Sequence, residues 1–302
     1  MGFKQDSAMT ENLVLGIDLG GTAIKLGCCG PQGTCVRSIT VPTPQPSRPE
    51  PVVDAIATAV HTLDPDKTLP VIGIGMPGPA DNTGRIARVS INLDDWLDVP
   101  LAEWIEAKTG RPTTIANDAN CAGLGEALYG AGQPFKNLIM LTLGTGVGGA
   151  IIINGELYTG RDGAAGELGL ITLWPDGPPC NSGNNGSLEQ FASVRAIRRD
   201  HQCEPHELAA RADDVANSFW QNYGRNLGAG LASLIYMLTP EAVILGGGIA
   251  ASTELFLPWV QAEIERRVMP TSRENLVILP AALGNQAGMI GAAQLARQRF
   301  GY

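Results

Sequence analysis

The chain has 302 residues, of which 44% are hydrophobic and 17% are charged, and its formal net charge is −9. Because single hydrophobic cores rarely grow beyond about 250–300 residues, this length predicts two lobes rather than one. The excess of acidic side chains argues against nucleic acid as a main partner, since binding to a phosphate backbone requires a basic surface. An anionic nucleotide can still bind, through backbone amides, helix N-termini and Mg²⁺.

The N-terminal segment and the cysteines bear on where the protein resides. Residues 1–10 lack the apolar core of a secretory signal peptide, and no stretch of the chain is typical of a membrane helix. The cysteines contain no C-x-x-C pair, so free thiols in a reducing compartment are expected at Cys28, Cys29, Cys35, Cys121, Cys180 and Cys203. We therefore predict a cytoplasmic protein without a membrane partner.

Hydrophobic patterns along the chain alternate between strands and helices. A meander of three short strands is predicted first, over 13–19, 22–29 and 34–41. Helices are then predicted over 52–63, 101–109 and 119–128, with buried strands over 71–75 and 114–116. Two further strands are joined by the hairpin signal Asn154-Gly155, and the remaining pattern predicts a strand over 242–245 and helices over 188–199, 207–220, 225–237 and 287–297. Because a strand hairpin followed by helices occurs twice, we expect two related lobes.

Glycine is concentrated in three turns that each follow an apolar run, at 16–22, 144–149 and 246–248. Successive backbone N–H groups in such turns form concave anion sites, which a ligand can approach closely. The stretches 73–78 and 144–149 also match G-x-G-x-x-G, but no helix opens at either, as a dinucleotide site requires. No G-x-x-x-x-G-K-[ST] motif is present. The turns therefore predict one nucleotide held between two lobes.

These turns belong to a longer series of motifs that resembles the ROK family of sugar kinases and regulators. In chain order the motifs are Gly16-Ile-Asp-Leu-Gly-Gly-Thr22, Asn117-Asp-Ala-Asn120, Gly144-Thr-Gly-Val-Gly-Gly149, Gly163-Ala-Ala-Gly-Glu-Leu-Gly169, Leu245-Gly-Gly-Gly248 and Leu283-Gly-Asn-Gln-Ala-Gly288. The resemblance implies the α/β actin-like ATPase (ribonuclease H-like) fold, with ATP, Mg²⁺ and a sugar in a cleft between two lobes. It also implies a homodimer or a tetramer. We predict a small lobe over 1–116, joined by a C-terminal helix over 287–302, and a large lobe over 117–286.

The resemblance also implies which residues bind the nucleotide. Asp18 lies just before the first glycine turn, where its carboxylate can hold Mg²⁺ directly or through water, beside the phosphates. The full set of nucleotide-binding positions is predicted to be Asp18, Gly20, Gly21, Thr22, Lys25, Gly144, Thr145, Gly146, Gly246, Gly247 and Gly248.

A second set of residues is expected around the sugar. Phosphoryl transfer to a hydroxyl needs a base that accepts the proton as the O–P bond forms. Asp118 follows a strand and opens a helix; on its sequence alone it is favoured as a helix N-cap, whereas the resemblance implies that it is the base. The resemblance further implies that the sugar is bound by Gly78, Ser90, Asn92, Asn117, Asp118, Glu167 and Glu189.

The chain departs from the family pattern at one histidine and two cysteines. Many ROK proteins hold a structural Zn²⁺ through a histidine after the Gly-Glu-x-Gly motif and through three later cysteines. Here Leu170 stands at the histidine position, and Ser182 and Ser187 replace two of the cysteines, which leaves Cys180. We therefore predict no structural zinc. Because the family's histidine also contacts the sugar, Leu170 leaves the identity of the sugar open.

Several functions are consistent with these observations. We predict an ATP-dependent kinase that phosphorylates the 6-hydroxyl of glucose or a close relative. Kinases that act on N-acetylmannosamine or fructose, and a glucokinase that uses polyphosphate, stay open. A sugar-sensing regulator is disfavoured, because the family's regulators carry an N-terminal helix-turn-helix domain and only about twelve residues precede the first strand here. A sugar-binding protein without catalysis also stays open, because of Leu170.

Overall fold

The computed structural model describes residues 12–90 and 92–302, so the segment for which no signal peptide is predicted lies outside the described residues. The strands are β1 Val14–Leu19, β2 Ala23–Cys29, β3 Cys35–Pro42, β4 Ile72–Met76, β5 Ala87–Val89, β6 Leu97–Val99, β7 Thr113–Asn117, β8 Leu138–Leu143, β9 Val147–Ile153, β10 Glu156–Leu157, β11 Ala242–Gly246 and β12 Val277–Pro280. The helices are α1 Pro49–Leu63, α2 Leu101–Thr109, α3 Asp118–Tyr129, α4 Glu189–Ala192, α5 Val194–His201, α6 Pro205–Ala209, α7 Asp214–Leu238, α8 Thr253–Arg267 and α9 Ala287–Phe300. None of the helices in the described part combines the length and the apolar character needed to cross a bilayer.

The chain divides into two compact units. The first contains the residues up to Gln133, together with 156–165 and 285–302, and the second contains 134–155 and 166–284. Helix α9 therefore belongs to the first unit. The predicted lobe boundary at 117 differs from this division, which keeps α3 in the first unit because α3 packs along α9.

The first unit is built on a mixed sheet with the strand order β3-β2-β1-β4-β7. Strands β1, β4 and β7 run parallel, while β2 and β3 form an antiparallel meander at one edge. The parallel strands are buried along almost their whole length, and the central strand β4, Ile-Gly-Ile-Gly-Met, carries no polar side chain. Helix α9 packs on β1 and β4, and its buried Arg297 donates from Nη2 to the carbonyl oxygen of Cys29 at 2.8 Å.

The second unit repeats the same arrangement. Strands β8 and β9 form an antiparallel hairpin, and β11 and β12 extend the sheet from β8 in parallel. Helices α7 and α8 pack against each other, with the buried rings of Tyr223 and Phe256 at 4.9 Å between centroids. A hairpin followed by parallel strands thus occurs in both units, as the pattern along the chain predicts.

Several helices of the second unit differ from the sequence prediction. The helices predicted over 207–220 and 225–237 are instead the short α6 and the single long α7, which begins after Asp213 accepts a hydrogen bond from the Ala216 N–H. The helix predicted over 188–199 is divided into α4 and α5 at Ser193, whose side chain caps α5. No helix is predicted from the sequence over 253–267, where Pro258 disrupts the pattern, but the structure forms α8 there.

The prediction that all six cysteines are free thiols is wrong for two of them. Cys29 and Cys35 form a disulfide, with their Cα atoms 4.0 Å apart. The two residues are cross-strand partners at the turn end of the β2–β3 hairpin, so the hairpin itself brings their side chains together. Among the described residues the other four cysteines are free, and Cys28, Cys121 and Cys180 are buried.

A buried ion pair ties the segment after α1 to the segment after α2. The side chains of Asp64 and Arg111 are only 2% and 4% exposed. Arg111 donates to the Asp64 carboxylate and, from Nε, to the carbonyl oxygen of Leu69 at 2.9 Å. Burial acts to raise the pKa of Asp64, but hydrogen bonds from Leu69, Thr68 and Arg111 prevail and hold that pKa below its usual value.

Candidate active site

The carboxyl ends of β1, β4 and β7 bring together the two predicted acidic residues of the first unit. Asp18 pairs in register with Gly75, and Gly75 pairs with Ala116, two residues before Asp118. Asp118 lies directly over this row, with its Cα 3.5 Å from the Cβ position at Gly75. Burial raises the pKa of the nearby Cys121 thiol, and repulsion from the Asp118 and Asp18 carboxylates raises it further. The two carboxylates therefore act on one small region at this edge of the sheet.

The start of α3 shows which residue caps the helix. Asn117 is the N-cap, because its Oδ1 accepts the N–H of Asn120 at 3.0 Å, while its Nδ2 donates to the carbonyl oxygen of Gly78 at 3.3 Å. Asp118 is the first helical residue, and its Oδ1 accepts the N–H of Ala119 at 2.8 Å. The half-buried Asp118 carboxylate is thus oriented by the helix N-terminus without serving as its cap. A sugar contact by Asn117 stays a prediction.

Asp18 lies in a positively charged setting at the end of β1. Its Oδ2 is 3.2 Å from Nζ of Lys25, its partner in the β1–β2 hairpin. Gly288, in the first turn of α9, faces the carboxylate, with 3.2 Å between its Cβ position and Asp18 Cγ. A lysine and a helix N-terminus at one point suit phosphate oxygens. A single carboxylate fits Mg²⁺ that is held chiefly by phosphates and water.

The first glycine turn is held in place from its outer side. The Thr43 hydroxyl donates to the carbonyl oxygen of Gly20 at 2.6 Å, and the Gln45 amide donates to that of Gly21 at 2.9 Å. No role is predicted from the sequence for Thr43, Gln45 or Gly288. The motif that contains Gly288 is visible in the sequence, whereas nothing in the proline-rich link after β3 indicates that it supports the turn.

The predicted sugar residues Gly78, Ser90 and Asn92 lie in the same unit. Gly78 has φ +90°, and a Cβ there would collide with the carbonyl oxygen of Val89, so only glycine permits this close approach. The buried Ser90 hydroxyl has no hydrogen-bond partner among the described residues. An orphaned buried hydroxyl next to the end of β4 is the kind of group that a polyol can satisfy. Asn92 follows it, with its carbonyl oxygen 3.3 Å from the Cβ position at Gly21.

In the second unit, the glycine turn between β8 and β9 is packed on a predicted sugar residue. Glu189 Oε2 accepts the N–H of Val147 at 3.0 Å, next to Gly146. Glu167 is partly exposed to solvent, but many protein atoms surround its carboxyl group and desolvate it. This desolvation raises the pKa of Glu167, and repulsion from Glu189 raises it further. The structure therefore groups Glu167 and Glu189 with the turn that contains Gly144, Thr145 and Gly146.

The third glycine cluster follows the parallel neighbour of β8. Strand β11 ends at Gly246, which pairs with Thr142, so residues 246–248 lie at the same sheet edge as the turn after β8. A Cβ placed at Gly248 would meet nothing within 4 Å, and one at Gly144 would meet only the Gly146 carbonyl oxygen, at 4.0 Å. Open space lined by backbone at both positions fits a nucleotide.

The zinc positions of the family lie on a loop that closes on itself. Leu170 is half-buried at the end of a short 3₁₀ turn, Cys180 and Ser187 are buried, and Ser182 is exposed. Backbone bonds close the loop, from the Leu188 N–H to the Ile171 carbonyl oxygen and from the Cys180 N–H to the Asn184 carbonyl oxygen, at 2.9 and 2.7 Å. Within residues 12–90 and 92–302, no group of three histidine, cysteine, aspartate or glutamate side chains could hold a metal ion.

We expect elemental analysis of the purified protein to find far less than one zinc ion per chain. A tetrahedral structural site needs four strong ligands, and Cys180 alone remains of the family set. Inductively coupled plasma mass spectrometry before and after dialysis against a chelator measures this directly. One zinc per chain that resists dialysis would contradict the prediction.

Comparisons with known proteins bear on the whole chain. A family model described as the ROK family matches residues 14–299. A glucokinase from Thermotoga maritima is 32% identical, over 97% of this chain and 100% of that protein. A crystal structure of a ROK family glucokinase from Streptomyces griseus, in complex with glucose and AMPPNP, has a TM-score of 0.84 and 35% identity, over 95% of this chain and 99% of that chain. A xylose repressor from Bacillus subtilis is 32% identical over 83% of this chain and 68% of its own length.

Proposed function

This chain belongs to the ROK family, and on that premise we propose that it is an ATP-dependent hexose kinase that phosphorylates the 6-hydroxyl of glucose or a close relative. It has the two-lobed α/β fold of the actin-like ATPases, as ROK sugar kinases do. Glucokinases that are 32% and 35% identical over nearly the whole chain support the activity. The observation that carries the proposal is the placement of Asp118 and Asp18 at one edge of the first sheet. Asn117, and not Asp118, caps α3.

In this proposal Asp118 is the general base. Its carboxylate accepts the proton of the sugar hydroxyl as the oxygen attacks the γ-phosphorus, while the bond from that phosphorus to the bridging oxygen breaks and ADP leaves. The start of α3 keeps the carboxylate oriented. Lys25 and the first turn of α9 attract the phosphate oxygens beside Asp18. Mg²⁺, when bound through Asp18 and water, would neutralise charge on the β- and γ-phosphates. Within the second unit, the backbone groups of 144–146 and 246–248 are suited to phosphate oxygens.

The residues proposed to hold the sugar carry groups that suit sugar hydroxyls. Ser90 contributes the orphaned hydroxyl, and Glu167 and Glu189 contribute carboxylates that accept strong hydrogen bonds from hydroxyl groups. Gly78, Asn92 and Asn117 complete the set predicted from the family resemblance. Leu170 offers no hydrogen bond, so the sugar hydroxyl that faces it must bind water or be absent.

A regulator is the second candidate, because a xylose repressor matches 83% of this chain. The carboxylate at position 118 favours the kinase. Kinases for N-acetylmannosamine or fructose and polyphosphate-using glucokinases remain alternatives within the same chemistry. We further propose that the enzyme acts in the cytoplasm, without a nucleic acid or membrane partner, as a homodimer or tetramer.

The test is ADP release from ATP and Mg²⁺ across a panel of glucose, mannose, fructose and N-acetylated hexosamines. Turnover with one sugar, lost in Asp118→Asn, identifies the kinase and its substrate together. If polyphosphate supports turnover better than ATP with the same sugar, the phosphoryl donor is revised. Sugar binding without turnover under either donor would overturn the kinase proposal in favour of a sugar-binding protein.

We expect Leu170→His to change the preference among sugars. An added imidazole supplies a hydrogen bond that leucine lacks, and the net worth of one such bond is about 0.5–1.5 kcal/mol, or up to about tenfold in relative kcat/KM. The measurement is the ratio of kcat/KM for each pair of sugars in the variant and in the unmodified protein. Identical ratios in both proteins would show that position 170 does not face the sugar.

A further inference from the structure

The side chain of Glu189 contacts the backbone of the turn between β8 and β9. Its Oε2 accepts the N–H of Val147 at 3.0 Å, although the two residues are 42 positions apart. The same oxygen lies so close to Gly146 that a Cβ there would collide with it. Only glycine at 146 therefore allows a carboxylate to pack directly against this turn.

The remaining contacts of the turn come from the residues that follow Glu189. The N–H of Val194 donates to the carbonyl oxygen of Gly144 at 2.8 Å, and the N–H of Arg195 donates to that of Thr145 at 3.4 Å. Glu189 begins α4, and Val194 begins α5 immediately after it. The segment 189–195 thus holds the turn through the Glu189 side chain at one end and through the N–H groups of Val194 and Arg195 at the other.

Glu189 also lies beside the second predicted sugar carboxylate. Repulsion from Glu189 contributes to the raised pKa of Glu167, which places the two acidic groups within electrostatic reach of each other. A carboxylate has about four lone-pair positions, so Glu189 can accept the Val147 N–H and a sugar hydroxyl at the same time. Glu189 therefore lies between Glu167, a proposed sugar ligand, and the 144–147 turn, a proposed phosphate site.

We propose that Glu189 is a positioning residue for the nucleotide, which fixes the 144–147 turn in its phosphate-binding conformation through the bond from Val147 N–H to Oε2. The inference rests on the proposed function, because it takes this turn as a phosphate site. Binding of the nucleotide then depends on Glu189 even when no sugar is present. A residue that serves the sugar alone would have no such effect. Because couplings of this kind are reciprocal, sugar at Glu189 and nucleotide at the turn change each other's affinity.

The first test measures binding of AMPPNP and Mg²⁺ by isothermal titration calorimetry without sugar. Glu189→Ala is expected to weaken binding about tenfold or more, since it removes a charge-assisted bond. Glu189→Gln is expected to bind nearly as the unmodified protein, because its amide oxygen can still accept the Val147 N–H. Glu265→Ala is the matched control, because it removes an exposed carboxylate of the same unit, on α8, that has no role in the proposed site, and it should leave nucleotide affinity unchanged. Equal affinity of Glu189→Ala and the unmodified protein would overturn the proposal.

A second test separates this proposal from the proposed function, because it needs no ligand. Amide hydrogen exchange of a peptide spanning 143–148 is expected to be faster in Glu189→Ala than in Glu189→Gln. If Glu189→Ala does not fold, Glu189→Asp replaces it, since its shorter side chain cannot reach Val147. Unchanged exchange overturns the contact itself. If exchange is faster in Glu189→Ala but this variant binds AMPPNP as well as the unmodified protein, the contact exists but Glu189 does not position the turn for the nucleotide. Failure of every sugar in the turnover panel counts against the kinase alone.

Discussion

Replacing Asp118 by asparagine is expected to lower kcat by a factor of about 10²–10⁴. The carboxamide cannot take up the proton of the attacking hydroxyl. It can still accept the N–H of Ala119, so the start of α3 should keep its conformation. Steady-state ADP release measures the loss, and calorimetric sugar affinity should stay within severalfold because the change is nearly isosteric.

Asp214→Asn is a matched control for this result. Asp214 is also the first residue of a helix, α7, and it also follows a capping residue, Asp213. The same chemical change at the same helix position should therefore leave kcat unaltered. Unaltered turnover in Asp118→Asn would remove Asp118 as the base, whereas equal losses in both variants would point to a general effect on helix N-termini.

Replacing Arg111 by methionine is expected to lower the free energy of unfolding by about 3–5 kcal/mol. The change removes one partner of a buried pair and leaves the Asp64 carboxylate without its counter-charge. Urea unfolding followed by circular dichroism measures the difference. Lys108→Met removes a cation from the half-exposed pair with Asp54, and there the loss should stay below about 1 kcal/mol. Similar losses of unfolding free energy in the two variants would show that burial does not make the Asp64–Arg111 pair more important than the exposed pair.

The same pair gives a pH dependence of stability. The pKa of Asp64 is lower in the folded protein than its ordinary value, so the folded state favours the ionised carboxylate. This stabilisation is fully present above the unfolded pKa of about 3.9, and it is lost as the pH falls through the lower folded value. In Asp64→Asn, unfolding free energy should therefore fall less steeply below about pH 4 than in the unmodified protein. If the unfolding free energies of the two proteins fell in parallel with pH, carboxylates other than Asp64 would be the cause of the loss of stability in acid.

Local patterns were sufficient where one short segment determines the outcome. The meander of β1 to β3 and the Asn154-Gly155 hairpin signal depend on alternation and turn residues a few positions apart, and both are visible in the sequence. The choice of cap between Asn117 and Asp118 is different. Both side chains are good caps, and only the fold, which places Gly78 within reach of the Asn117 amide, determines which one is used.

Contacts between distant residues could not be derived from the sequence. The disulfide joins residues of two correctly predicted strands, but its formation depends on the register of the hairpin, which shifts between Cys28 and Cys29. The bond from Val147 to Glu189 joins residues 42 positions apart and has no periodic signal. The helices predicted over 207–220 and 225–237 leave out 221–224, where the structure continues α7 and packs Gly224 closely against α8.

The position of α9 sets the order in which the protein can fold during synthesis. Strand β1 precedes the second unit in the chain, but the sheet of the first unit needs α9 against β1 and β4 to be covered. The second unit has all of its residues once Gly284 has been made. We therefore expect the second unit to fold on the ribosome before the first, the reverse of the usual order. Until α9 has been made, we expect the apolar face of β1 and β4 that it covers to stay exposed and open to chaperones that bind such surfaces.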